Sequence, residues 1–246
     1  MAYPGTIQLD YGSPYETTTV QLYPMGQRGE TPDGSWYRYS LMGGVTGVAN
    51  KLYQGAATAV ANWTTQTHTI ALAVGDTEIS FDDGGTAFTV NQLEGGSLLV
   101  EETDDLGHIY RVKSNVVTAS TETICQLEDG VTVQKAVLVE ALNVLTANLS
   151  PWAEVVIPPA TTPTNIVVGV PRVIIAANAF GWVQSRGLAS TLAASATLPG
   201  NPSIVSGTGG AAGIAASQTT NITGYVGRAM NLAIAGDFAA IWLECE

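Results

Sequence analysis

Titratable side chains are scarce in this chain. Nine Lys and Arg and two His (His68 and His108) are spread over 246 residues, and charged residues make up 12% of the total. Soluble domains carry about 25%, and an active site needs several such groups converging to perturb one another. The densest carboxylates, Asp82-Asp83 and Glu101-Glu102-Thr103-Asp104-Asp105, sit in turn-like contexts. No catalytic residue is expected, and the chain reads as a structural or interaction protein, not an enzyme.

Other shortages exclude further classes. The net charge is −12 and no Lys/Arg cluster occurs. Nucleic-acid binding needs several phosphate-neutralising side chains on one face, and the pair Arg111 and Lys113 is no such footprint. Two cysteines far apart, Cys125 and Cys245, give no disulfide framework. Neither histidine has a second His or a Cys nearby, so no zinc site is expected. The acidic turns lack the ligand spacing of a calcium loop and read as solvated hairpin tips. The run Ser206-Gly207-Thr208-Gly209-Gly210 lacks the Lys of a phosphate loop, and no nucleophile-elbow motif occurs. No cofactor or metal is expected.

Long apolar runs are missing as well. Ile166–Ala177 is broken by Gly169, Pro171 and Arg172, and Val131–Leu145 by Gln134, Lys135 and Glu140. Neither approaches the ~20 residues that span a bilayer, so no membrane span is expected. Met1–Gly5 has neither the basic nor the apolar region of a secretory signal, which points to synthesis in a cytoplasm.

What is abundant is Gly (27 residues) and apolar residues (46%). Interfaces are depleted in Lys, Glu and Asp, so a surface made of Thr, Ser, Ala, Gly and Asn suits burial against partners. Short strand-like runs separated by Gly/Asp turns recur at about ten-residue spacing, the grammar of an all-β barrel or sandwich. Four parts are expected: an extended N-terminal arm over 1–28 and a barrel or sandwich body of some eight strands over 29–150. A Pro-rich linker or crossover over 151–165 and a smaller C-terminal β module over 166–246 follow. Within the body, Ala87–Val90 and Val131–Val139 read as strands. The arm carries Tyr3, Ile7, Leu9, Tyr11 and Tyr15. Exposed tyrosines on extended backbone can anchor a chain to a partner and add a strand to its sheet; the same arm could instead fold back on its own body.

A faint internal echo is present. Val168-Gly169 and Phe180 recur as Val226-Gly227 and Phe238, both 58 residues on. Two similar strand–turn–strand units would produce it.

Several segments together resemble the head decoration, or cement, proteins of tailed bacteriophages. The strongest is Phe180-Gly181-Trp182-Val183-Gln184-Ser185-Arg186-Gly187-Leu188-Ala189-Ser190, which is similar to an aromatic-Gly-Trp-Val-Gln signature of that group. Tyr225-Val226-Gly227-Arg228-Ala229 and the strand-like Phe238–Leu243 follow it in the same order, while Gly29–Tyr39 and Gly95–Lys113 precede it. The resemblance covers most of the chain from Gly26 onward. It implies an all-β, commonly trimeric protein that binds the outside of an icosahedral shell at capsomer junctions, with the major capsid protein and itself as partners. It implies no catalytic residues.

On that basis the arm residues Tyr3, Ile7, Leu9, Tyr11 and Tyr15 are the expected capsid contacts. Trp182, Arg186 and Trp242 are the expected contacts between subunits. The expected location is the outer capsid surface of a virion. The rival is a receptor- or glycan-binding component of a head or tail fibre, with Trp63 or Trp36 exposed beside the acidic turns to stack on sugars.

Overall fold

Strand formation follows side-chain alternation. In Ile109–Val117, Tyr110 and Val112 are buried while Ile109, Arg111 and Lys113 between them face out, the period-two pattern of a half-buried strand. The computed structural model describes residues 5–56, 63–101, 107–117, 121–139, 144–159, 163–206, 210–214 and 224–246. They form an all-β protein with a short 3₁₀ turn at Ser13–Tyr15.

In chain order the first strands are β1 (Ile7–Gln8), β2 (Thr17–Thr18), β3 (Arg28–Glu30), β4 (Trp36–Leu41) and β5 (Tyr53–Gln54). Next come β6 (Gln66–Thr67), β7 (Glu78–Asp82), β8 (Ser97–Val100), β9 (Ile109–Val117), β10 (Glu122–Leu127) and β11 (Val144–Asn148). The last are β12 (Val167–Pro171), β13 (Phe180–Leu192), β14 (Pro202–Val205), β15 (Ala212–Ile214), β16 (Tyr225–Ala229) and β17 (Phe238–Glu244).

The chain divides into two compact units. One, within Ala57–Ser150, holds a six-stranded sheet ordered β6-β11-β8-β9-β10-β7. A bridge from His68 to Phe81 brings the residue after β6 beside β7, so this sheet nearly closes on itself. Its interior is filled by Ile79, Phe81, Leu98, Tyr110, Val112, Cys125, Leu127 and Leu145. Ala87–Val90 and Val131–Val139 are not strands here, although Phe88, Val133 and Val137 are buried.

The other unit joins Pro4–Ala56 to Pro151–Glu246 around an eleven-stranded sheet, with β1-β3-β4-β13-β17-β16-β14-β15 as its main path. One break between the two units falls at Ser150/Pro151. Residues 29–56 belong with the C-terminal residues because β4 pairs along Phe180–Arg186 and β5 pairs with Val167 and Gly169. The C-terminal residues are therefore the centre of the larger unit. Pro151–Pro158 is strapped to it, with the Trp152 carbonyl accepting from Leu41 N (3.0 Å) and the Val156 carbonyl from Gln54 N (2.9 Å). The N-terminal arm folds back: β1 pairs in parallel with β3, and β2 pairs with the start of β13.

The 58-residue echo is a duplicated hairpin. Hairpin 1 is β12–β13 and hairpin 2 is β16–β17. Val170↔Gln184 and Pro171↔Val183 pair in the first; Arg228↔Trp242 and Ala229↔Ile241, each 58 positions later, pair in the second. Both first strands carry a β-bulge, at Val167/Gly169 and at Tyr225/Gly227. Gly169 and Gly227 sit at φ 137° and 144°, and an added Cβ would overlap the carbonyls of Gln184 and Trp242 respectively. Each hairpin turns through a positive-φ residue, Asn178 or Gly236. In both, the next amide donates three residues back (Ala179 N to Ala176 O, Asp237 N to Ile234 O, 3.1 Å each).

Candidate interaction surface

The two sides of each hairpin have different fates. In hairpin 1, Val168, Ile175 and Val183 join a core with Met42, Tyr53 and Val155. The equivalent side of hairpin 2 (Val226, Ala229, Ala233, Ala239 and Ile241) forms another core with Leu52, Val170 and Ala189. The opposite side of hairpin 1 is also covered. Trp182 packs with Leu9, Tyr37 and Tyr39, and Phe180 stacks on Tyr39 at 5.7 Å between ring centroids. Tyr23 closes over the cluster, 5.2 Å from Tyr39 and 5.4 Å from Trp182.

The opposite side of hairpin 2 is bare. Trp242 is 43% exposed and Phe238 56%. Leu188 lies directly across from Trp242, and Arg186 across from Glu244, along the β13–β17 pairing. Met230 and Leu188 are exposed beside them, and Arg228 flanks Trp242 on β16. The result is an apolar face rimmed by guanidinium groups, the composition favoured at interfaces. A cleft of about 560 Å³ opens next to it, lined among others by Tyr15, Arg172, Leu188, Asn231 and Phe238.

The rim is organised by hydrogen bonds and ring contacts. Arg186 stacks over Trp36 at 4.4 Å, and Arg28 over the same ring at 4.5 Å, each a cation–π contact. Arg172 donates to Gln184 Oε1 (3.1 Å) and to the Leu188 carbonyl (3.2 Å). Tyr225 Oη donates to Glu244 Oε2 at 2.6 Å. Burial, then the hydrogen bond to Glu244 and its charge, push that phenol above its ordinary value.

Of the expected subunit contacts, Arg186 and Trp242 lie on this face and Trp182 does not. Trp182 is 4% exposed; its ring is used up in the chain's own aromatic cluster and has no surface left for a neighbour. Of the expected arm contacts, Tyr11 and Tyr15 are exposed, whereas Leu9 is buried and Ile7 packs against the same cluster. Tyr3 lies outside the described residues. Leu188, Phe238, Met230 and Arg228 belong to the face without having been singled out; the echo of Phe180 in Phe238 was the signal that could have found them.

The sugar-stacking candidates are not available. Trp63 is 7% exposed, stacked on Phe88 at 4.2 Å with its Nε1 donating to the Thr86 carbonyl. Trp36 is half-buried between its two arginines. In the Asp82-Asp83 turn Asp82, Gly84 and Gly85 are exposed, but Asp83 is fully buried, accepting from Gly85 N (3.1 Å) and Thr123 Oγ1 (3.1 Å). Glu102–Asp105 lies outside the described residues. His68 is buried, and His108 is exposed with Nδ1 3.3 Å from Tyr110 Oη. Burial raises the Cys125 thiol and, with the Glu246 carboxylate adding to it, pushes Cys245 up to about 12. Among the described residues, no three His, Cys, Asp or Glu side chains are grouped to hold a metal ion.

Comparison with protein-family models, with curated proteins and with solved structures returned no match to this chain.

Proposed function

We propose that this protein is a structural component of a phage virion that binds the outer surface of an icosahedral shell and stabilises capsomer junctions. The observation that carries the reading is the bare Leu188–Trp242–Phe238 face with Arg186 and Arg228 at its rim, a surface suited to a protein neighbour. The family resemblance agrees with it. Four of its five segments, Gly29–Tyr39, Phe180–Ser190, Phe238–Leu243 and Tyr225–Ala229, fall on β3–β4, β13, β17 and β16, which are consecutive neighbours in one sheet, and the fifth, Gly95–Lys113, falls on β8 and β9 of the other sheet.

In this reading copies associate through the Arg186–Trp242 face, and the exposed arm rings Tyr11 and Tyr15 touch the major capsid protein. An oligomer docks several modest contacts at once, so effective concentration multiplies their strength without new chemistry. Binding the assembled lattice more tightly than separated capsomers stabilises the lattice by linkage.

The test is to mix the purified protein with empty phage heads stripped of their decoration protein and separate bound from free on a density gradient. Saturable binding at a fixed ratio to capsid subunits, weakened at least tenfold by Tyr11→Ser, supports the reading. Heads that take up no protein, together with selective retention on a glycan array, overturn it in favour of a receptor-binding role.

A further inference from the structure

The duplicated hairpin says what kind of partner the bare face takes. The side of hairpin 1 opposite its own core is covered by the chain's folded-back N-terminal segment: Leu9 and Tyr23 lie over Trp182, and β2 pairs with Phe180–Gly181. Among the described residues, the same side of hairpin 2, with Phe238 standing where Phe180 stands, has no such segment over it. The two hairpins share register, bulge and turn, so a segment with the character of residues 7–23 is the occupant this backbone is shaped to accept.

Charge selects the same occupant. The unit-forming stretch Ala57–Ser150 holds thirteen of the 21 carboxylates and three of the nine cations, leaving six cations for the rest. Three of those six, Arg172, Arg186 and Arg228, line the bare face or its cleft, where among the described residues the carboxylate paired along β13–β17 is Glu244. The N-terminal segment is the opposite: its first cation is Arg28, and the charged side chains before it are Asp10 and Glu16, both exposed. Val20 and Leu22 on that segment are exposed too, at 65% and 66%. An acidic, apolar strip thus exists on every copy, and so does a cationic, apolar face.

We propose that the bare face of hairpin 2 is the seat for the Glu16–Leu22 strip of a second copy of this chain, with Glu16 meeting Arg186 and with Val20 and Leu22 lying against Leu188, Trp242 and Phe238. The contact is heterologous, strip to face, so each copy offers one of each and the arrangement closes into a ring or runs on as a chain. It rests on the reading above that copies associate, and specifies which surfaces meet. Opposite charges at the rim set orientation and weaken with salt.

The test uses the full chain in sedimentation velocity over a concentration series, at low and high salt. Four variants accompany it: Glu16→Arg, Arg186→Glu, those two combined, and Trp242→Thr, each checked by circular dichroism for retained β structure. The natural chain is expected to self-associate. Each single reversal should weaken association at least tenfold, and the double variant should regain most of it, because the charges are then swapped. A Trp242→Thr variant should be monomeric. A monomeric natural chain overturns the proposal, as does association that all three single variants leave unchanged, or a double variant no better than its parents. Head binding by a monomeric natural chain would leave shell attachment standing while this inference fails; association without head binding would do the reverse.

Discussion

Hairpins 1 and 2 have the same backbone and opposite surroundings. Their registers, bulges and turns coincide at a spacing of 58 residues, yet one is packed on both sides and the other on one. Where hairpin 1 places Trp182 and Gln184 in the interior, hairpin 2 places Ala240 and Trp242 at the surface. A duplicated fold therefore does not fix which side chains are buried; the neighbouring segments do. The covered copy has Trp182 buried, and the uncovered copy leaves Trp242 and Phe238 exposed.

The largest effect that would break this comparison lies in the tryptophans. Trp182→Ala should destabilise the protein by about 3–5 kcal/mol, the cost of emptying a well-packed aromatic site. Trp242→Ala should change the stability of an isolated copy by less than about 1 kcal/mol, because half-exposed positions lose little on truncation. Urea unfolding of dilute protein measures both. Equal losses would mean that Trp242 is packed as tightly as Trp182 and that hairpin 2 is not bare.

The glycines sharpen the comparison from the other direction. At Gly169 and Gly227 the backbone lies in a region that L side chains avoid, and a Cβ would collide with a main-chain carbonyl across the hairpin. Gly169→Ala and Gly227→Ala should each cost about 2–3 kcal/mol through strain and overpacking. The two values should agree within about 0.5 kcal/mol when read from the same urea transitions, since the geometry repeats although the surroundings do not. A loss at one glycine only would reduce the repeat to a coincidence of register.

These contrasts also mark how far the sequence can be read. The spacing of Val-Gly and Phe pointed to two similar strand–turn–strand units, because that signal is local. The partners were not local. Tyr39 meets Trp182 across a long stretch of chain, and an alternating strand is compatible with many neighbours, so the assignment of residues 29–56 to the larger unit was not legible. Apolar runs such as Ala87–Val90 signalled burial and not pairing: Phe88 is in the core without being in a strand. Asp83 looked like a turn-tip carboxylate and is buried, because Thr123 on the neighbouring strand supplies the hydrogen bond that burial demands. For the face itself, Arg186 and Trp242 were legible and Trp182 was misplaced, since alternation tells two sides of a strand apart but not which one gains a cover.

The smallest expected effect concerns a tie made by hairpin 1 alone. Glu246 accepts from Arg38 Nε through both carboxylate oxygens (2.9 and 3.0 Å) and from Ser185 Oγ. Arg38 also donates to the Gly26 carbonyl at 2.8 Å and stacks over Trp152. The position equivalent to Ser185 in hairpin 2 is Leu243, a core residue. Burial alone would raise the Glu246 carboxyl; the hydrogen bonds from Arg38 and Ser185 and the charges of Arg38 and Arg28 outweigh it and hold the group below the usual carboxylate range. A carboxyl depressed in the folded state adds stability above its unfolded value, and that stability is lost as pH falls through the folded value. Glu246→Gln should cost about 1–2 kcal/mol at neutral pH, and the gap to the natural chain should close as pH drops below about 4. Thermal midpoints of both proteins across that range decide it: a gap independent of pH would mean that the contact stabilises by packing and not by charge.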